Sequence, residues 1–306
     1  MKNGTIIKIG LTILLVIILF LKIHPDEILN VISTIQPVFL LSALFFVPTM
    51  YAIRAYRWDI LLRSISIHKP YPHIYRILLI GVFYGLITPG KIGELGRAFH
   101  FEESSPIILS SIVVEKLTDI YVLLVLSTIT IFFFFVENTL LFSGILFCCA
   151  IILIGTLILH SSWFLTTIAR FFRISGYQVE IFIMHFKKQF GPTTHFVLVL
   201  SLSFLYYGLT YLFGMCLLTA LQTQWRVVLT MPLIILMGNI PLTISGLGLR
   251  ESIGALTFTL LDESAAIGFS FALLLFIFIT FIPGIFGYFL AIKTEYAVKQ
   301  LKVPEK

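Results

Sequence analysis

Read for polarity alone, the chain is a series of long apolar runs separated by short polar breaks. Six runs reach the ~20 residues that a helix needs to cross about 30 Å of hydrocarbon: 6–23, 37–53, 106–136, 140–159, 195–221 and 265–291. Polarity does not alternate along them, as the strands of a membrane barrel would require. Unbroken apolar runs of this length satisfy their backbone hydrogen bonds as helices. The expected fold is all-α: a polytopic helical membrane protein, taken as one integral membrane domain over 1–306. Two further apolar stretches, 77–88 and 227–244, break into proline, glycine and charge, reading ITPGKIGELGRAFHF at 87–101 and NIPLTISGLGLRES at 239–252.

Loop charge sets the expected orientation, because cytoplasmic loops carry the excess of Lys and Arg. Residues 54–76 hold Arg54, Arg57, Arg63, Lys69 and Arg76 against Asp59; residues 160–194 hold Arg170, Arg173, Lys187 and Lys188 against Glu180. The connections at 24–36 and 137–139 carry Asp26, Glu27 and Glu137 and no Lys or Arg. This places both termini in the cytoplasm. Parity then requires 77–105 to dip in from the cytoplasm and return, and 227–262 to do the same from outside. Two re-entrant hairpins of opposite sense follow, one in a first half at 1–136 and one in a second half at 140–306. Pro89 and Pro241 lie 152 residues apart, about half the chain, as in an inverted repeat whose broken helices meet near the bilayer midplane.

Composition agrees with this class: 58% hydrophobic and 12% charged residues, where soluble domains carry roughly 45–50% and about 25%. The net charge of +6 is explained by the basic loops, and no nucleic-acid partner is expected. Cys148, Cys149 and Cys216 fall inside apolar runs without metal-ligand spacing. Lys2, Lys8 and the apolar run Leu11–Leu21 read as a retained first helix, since no small-residue cleavage site follows. Asn3-Gly4-Thr5 is a chance glycosylation match on the cytoplasmic side. GKIGELG lacks the strand and the GxxxxGK[ST] pattern of a nucleotide loop. Gly81 and Gly85 form a GxxxG pair expected to pack two helices.

The chemistry is expected in the two turns. Gly90, Gly93 and Gly96 permit tight turning and Pro89 stops the preceding helix; Pro241, Gly246 and Gly248 play the same parts in the second turn. Short helices restart near 92–101 and 249–261. Charges at depth are Lys91, Glu94, Arg97, Glu115, Lys116, Asp119, Arg250 and Glu251, four of each sign. Each costs roughly 2.5–3.5 kcal/mol at the bilayer centre, so they must converge on one another or on water. Glu94 with Arg97, and Glu115 or Lys116 with Asp119, are spaced to pair on one helix face. Lys91, Glu94, Arg97, Glu115, Asp119, Arg250 and Glu251 are the candidate substrate-binding residues, with Arg suited to a two-pronged grip on phosphate. No catalytic constellation, metal site or cofactor is expected.

TPGKIGELGRA, then SIVVEKLTDI, then NIPLTISGLGLRES together resemble the transmembrane region of the lysylphosphatidylglycerol synthase/flippase family, over residues 10–292. The resemblance implies two re-entrant hairpins in an inverted arrangement and a role in moving lipids, notably aminoacylated phosphatidylglycerol, across the bilayer. It carries site roles onto Pro89, Gly90, Gly93, Glu94, Arg97, Glu115 and Asp119, and onto Pro241, Gly246, Gly248, Arg250 and Glu251. Lys116-Leu117 matches the family pattern; Ser252 departs from it. The soluble aminoacyltransferase domain of the synthases has no counterpart before Lys306, so aminoacylation is not expected. Three functions stay open: a translocator for a phospholipid or polyprenyl-linked lipid, an intramembrane transferase using Glu94, Glu251 or Asp119 as a base, and a subunit presenting lipid to a separate transferase. Homo-oligomers are compatible with each. The neutral total of the buried charges suits a headgroup of both signs, or an anion accompanied by a proton.

Overall fold

The computed structural model describes residues 25–103, 105–135, 176–190 and 194–301, with a few single positions besides. The expected spans 6–23 and 140–159, with Cys148 and Cys149, lie almost wholly outside the described residues. Within them the chain is helical, and the only β-type pairing is one isolated antiparallel bridge. A short helix α1 (Pro25–Ser33) leads to α2 (Pro37–Ser64) and α3 (Tyr71–Leu86); a 3₁₀ helix (Ile92–His100) precedes α4 (Ser105–Phe135). Then come α5 (Tyr177–Gln189), α6 (Thr194–Ala220), a 3₁₀ turn (Trp225–Thr230), α7 (Met231–Gly238) and α8 (Leu249–Thr259). The chain closes with α9 (Ala265–Phe276), a π-helical turn (Ile277–Phe281) and α10 (Ile282–Leu301).

Four helical runs among the described residues are long and apolar enough to cross a membrane: α2, α4, α6 and the continuous run Ala265–Lys293. Their polarity is inside out. Val38, Phe45 and Phe133 are 69–77% exposed, whereas Arg57, Arg97 and Glu115 are fully buried. A surface of phenylalanine around an ionised interior suits hydrocarbon and not water. This is a multi-pass membrane protein.

The first difference from expectation is the length of α2, which runs on to Ser64 through what loop charge placed outside the membrane. Its physical cause is the spacing of Met50, Tyr51, Arg54, Ala55, Trp58, Leu61, Leu62 and Ile65. All are buried and all recur at the three- and four-residue steps of one helix face. Arg54 and Arg57 therefore leave the loop tally and enter the interior.

The interrupted stretches double back on themselves. With 16 residues, α3 extends only about 24 Å, short of the hydrocarbon thickness. After it the 3₁₀ helix returns alongside, with Gly81 against Arg97, Gly85 against Glu94, and Gly93 against the carbonyl of Tyr84. The nine residues of this helix exceed the usual three or four of a 3₁₀ run. A period of three explains the pattern: Gly93 and Gly96 stack on one face against Tyr84, while Glu94, Arg97 and His100 stack on another. The expected GxxxG packing thus takes a different form, since Gly81 and Gly85 make room for charged side chains and not for a second long helix. In the second stretch α7 turns back so that Gly238 meets Gly246 and Arg250. Farther on, α8 and α9 cross at Gly254 and Gly268, where a Cβ on Gly254 would stand 2.5 Å from the Gly268 carbonyl oxygen.

The two turns meet. The Gly90 N–H donates to the Thr243 carbonyl at 3.3 Å, and the Ser245 N–H donates to the Thr88 carbonyl at 3.1 Å. Together they form the Pro89–Ile244 bridge. Gly90 has φ +55°, and a Cβ there would lie 2.6 Å from Cα of Pro241. Gly90→Ala combines a left-handed backbone with that overlap, each worth about 1–3 kcal/mol. It is expected to lower the unfolding midpoint in detergent by roughly 5 °C or more. Gly208→Ala on α6, where nothing lies within 4 Å of the new methyl, leaves the midpoint unchanged or slightly raised. Equal midpoints would mean that the crossing contributes nothing to the fold.

Candidate functional site

Where α2, α4 and the 3₁₀ helix converge, the buried charges pair between elements. Glu115 on α4 is the hub. Its Oε1 accepts from Arg54 Nε at 3.1 Å and Arg57 Nη2 at 3.2 Å, and its Oε2 pairs with Arg97 Nη2. Arg57 also grips Asp119 with both prongs, Nη1 to Oδ1 at 2.6 Å and Nη2 to Oδ2 at 3.0 Å, and donates to Ser203 Oγ at 2.7 Å. Glu94 on the 3₁₀ helix pairs with Arg54 and, at 2.5 Å, with Lys116 Nζ. The Arg97 guanidinium lies 3.9 Å over the ring of Trp58, whose Nε1–H donates to Ser111 Oγ at 3.0 Å. Coulomb attraction is weakly screened at such depth, and each carboxylate in this network faces at least one guanidinium or ammonium.

Beside this network lies a cavity of about 470 Å³, within the range of small-ligand sites. Its walls come from α2, α4, α6, both turns and the π-helical segment. Tyr51, Tyr206 and Tyr207 form part of one side. Among the described residues the charged groups lining it are Arg54, Lys91, Glu94, Lys116, Asp119 and Arg250, four cations and two carboxylates. Lys91 leaves the first turn with φ +57°, a conformation rare for a residue with a Cβ. Its Nζ lies 3.5 Å from Thr280 Oγ1 and makes no other hydrogen bond or ion pair among the described residues. Thr280 belongs to the π-helical turn, where the wider winding leaves the Ile279 carbonyl to accept from Tyr51 Oη at 2.6 Å. Such bulges recur at functional sites.

Arg250 opens α8. Its Nε stands 3.4 Å from Glu251 Oε1 and its guanidinium 4.6 Å over the Phe276 ring. Its Nη2 is buried with no hydrogen-bond partner. Glu251 is occupied locally, its Oε2 accepting the Gly248 N–H at 2.6 Å as the reciprocal half of a capping box.

Of the residues singled out in the sequence, Lys91, Glu94, Asp119 and Arg250 line the cavity. Arg97 and Glu115 sit behind its wall in the ion network, and Glu251 caps α8. Glu94 and Arg97 do share a face, but neither takes the other: the ion pairs run to Arg54, Lys116 and Glu115 on other elements, and Asp119 takes Arg57. Arg54 and Arg57 were missed as site residues because basic residues beside a span read as loop. The available signal was their place among Met50, Ala55, Trp58 and Leu61 on one helical face. With them the cavity lining and its ion network hold, among the described residues, six cations (Arg54, Arg57, Lys91, Arg97, Lys116, Arg250) and four carboxylates (Glu94, Glu115, Asp119, Glu251), while buried Asp59 pairs with exposed Arg63. The balance expected of the cluster becomes a formal surplus of two cations in this set.

Comparison with known proteins converges on the same segments. The family described as "Lysylphosphatidylglycerol synthase TM region" matches residues 5–287. A UPF0104 membrane protein of Methanothermobacter thermautotrophicus is 25% identical over 200 residues, a match covering 63% of this chain and 57% of that relative. The shared stretch is therefore little more than half of the relative's length. The family match takes in α1 to α9, both turns and every charged residue of the cavity, and the chain belongs to the lysylphosphatidylglycerol synthase TM region family.

Proposed function

We propose that this protein translocates a phosphate-bearing lipid across the cell membrane, holding the headgroup in the cavity while the tails stay in the bilayer. In this reading 77–105 and 227–262 are re-entrant hairpins of an inverted repeat, entering from the cytoplasm and from outside, with both termini cytoplasmic. Their turns meet at the Pro89–Ile244 bridge, which sets Lys91 and Arg250 at the meeting point of the two halves. The observation that carries the reading is a cavity of about 470 Å³ whose lining includes two incompletely paired cations: Lys91, 3.5 Å from Thr280 Oγ1, and Arg250, whose Nε stands 3.4 Å from Glu251 while its Nη2 has no partner among the described residues. A phosphate offers acceptors to both. Arg54, Glu94, Lys116 and Asp119 form the opposite wall. Arg57, Arg97, Glu115 and Glu251 hold the walls in place, and the glycines and prolines of the turns let the two halves approach. Membership of a lipid-related membrane family supports the same class of substrate.

Reconstitution tests this directly. Vesicles containing the purified protein are expected to expose tail-labelled phosphatidylglycerol to an outside quencher far faster than protein-free vesicles. Lys91→Ala and Arg250→Ala, with unchanged unfolding midpoints, should slow that exposure by about tenfold or more, the loss of one charge-assisted contact to phosphate of 1.5–3 kcal/mol. Wild-type vesicles that behave like empty ones would remove the reading. Conversion of the lipid by purified protein given an activated donor would make it a transferase instead.

A second expectation separates support from contact. Glu115→Gln strips the charge from a carboxylate shared by three guanidinium groups, a change that costs about 3–5 kcal/mol when a buried pair is broken. It should reduce the yield of folded protein and its midpoint, whereas Lys91→Gln should leave both in place and lower transport alone. Normal stability for Glu115→Gln would mean that the network is not the frame of the site.

A further inference from the structure

The long run Ala265–Lys293 is divided between two packing partners. Its first part, α9, lies on α8, where Gly254 and Gly268 let the two backbones touch. From α1, Ile28 packs with Ala255, Ala266 and Phe269 of the same pair. Its last part, α10, lies on α3: a Cβ on Gly287 would strike the Leu79 carbonyl, and Tyr288 packs on Phe83 with ring centroids 5.2 Å apart. Each end is thus tied by glycine contacts to a different doubled-back stretch. Between the ends sits the π-helical turn Ile277–Phe281, with Pro283 two residues beyond it. Pro283 has no N–H to return to the Ile279 carbonyl four residues back, and this is the carbonyl that Tyr51 Oη of α2 takes at 2.6 Å. Phe278 of the same turn meets Phe213 of α6, ring centroids 5.8 Å apart. Sharp bends in long helices fall at prolines and π-turns, where the ladder of hydrogen bonds is interrupted. A second connection lies beside this one: Lys91, which follows the bridged turn, is 3.5 Å from Thr280 Oγ1.

We propose that the π-helical turn is a hinge. One body consists of α8 and α9, the other of α3, the 3₁₀ helix and α10, and they rock about a line through Thr280 and the Pro89–Ile244 bridge. The Tyr51–Ile279 bond is the latch that holds the present arrangement. Rocking about that line changes the angle between the bodies without sliding the glycine contacts inside either, as hinge motion requires. The hinge itself stands on packing alone. Its use rests on the translocation reading, where a second arrangement lets the cavity face the other side.

Spin labels on Leu256→Cys of α8 and Phe286→Cys of α10, both exposed positions, test the motion apart from transport. The full chain also carries Cys148→Ala, Cys149→Ala and Cys216→Ala, and the distance between the labels is read by pulsed electron resonance in vesicles. This parent should show one major distance and one minor distance. Tyr51→Phe should raise the share of the minor one by about fivefold, the effect of one lost hydrogen bond. Pro283→Ala gives Ile279 a partner within the helix. It should remove the minor distance, keep or raise the unfolding midpoint, and slow lipid exposure by about tenfold as the second arrangement becomes rarer. A single unchanged distance in all three chains would overturn the hinge, whatever the vesicles do with lipid. A minor distance indifferent to Pro283→Ala would place the motion elsewhere and overturn it too. Two distances that answer to both substitutions, in a protein that moves no lipid, would keep the hinge and remove the translocation reading.

Discussion

A carboxylate without access to water must be surrounded by cations, and in this protein that carboxylate is Glu115. Removing an ion from water costs several kcal/mol even after relaxation, and attraction repays it only where geometry and hydrogen bonding are good. Glu115 meets the condition with three guanidinium groups from two elements, Arg54 and Arg57 on α2 and Arg97 on the 3₁₀ helix. The result is more a positional device than a source of net stability. Hydrophobic side chains of the same volume could fill the space at no greater cost, but they would let α2, α4 and the returning segment slide. Trp58 beneath Arg97 and Ser203 beside Arg57 complete the fixing of register. Gly81 and Gly85 admit the charged face of the returning segment.

The second constraint is the backbone. Where a helix ends away from water, its carbonyl and amide groups need partners from elsewhere in the protein. Here each turn supplies some of them to the other through the Gly90–Thr243 and Ser245–Thr88 bonds. Close approach is possible only because Gly90 has no side chain to strike Pro241. This contact also delivers the chemistry: the residue after Gly90 is Lys91, and Arg250 follows Ser245 by five residues, at the start of α8. Both cations reach the cavity because the crossing aims their segments there, so structural and chemical requirements share a few residues.

Much of this was legible in the primary structure, for identifiable reasons. Long apolar runs have one outcome in lipid, so α2, α4, α6 and the long final run were readable from hydropathy. The turns were readable because proline and glycine are costly anywhere else in a membrane segment. Partners were less legible. The three-residue spacing of Glu94 and Arg97 does put them on one face, yet spacing within a segment says nothing about which other segment arrives. Arg54 and Arg57 show the limit most clearly. As composition they are basic residues flanking a span, the usual mark of a cytoplasmic loop. Only their phase relative to Met50, Ala55, Trp58 and Leu61 shows that they point inward. Assigning them to the loop left two arginines out of the cluster around Glu115 and Asp119.

How those cations are paired bears on how the site can work. This chain neutralises buried charge where neutrality is needed, as three arginines around one glutamate demonstrate. Arg250 is treated differently: Glu251, adjacent to it, spends one oxygen on the Gly248 amide and stands 3.4 Å from Arg250 Nε. An unsatisfied buried donor costs about 1–3 kcal/mol, more when charged, and a carboxylate in place of Asn239 or Thr280 on the cavity wall would offset the charge. The wall instead carries uncharged polar groups beside Lys91 and Arg250. Arg57 Nε and Arg97 Nε and Nη1 are likewise buried without partners among the described residues, so what sets Arg250 apart is its place on the cavity wall, where the missing partner can be supplied by what enters.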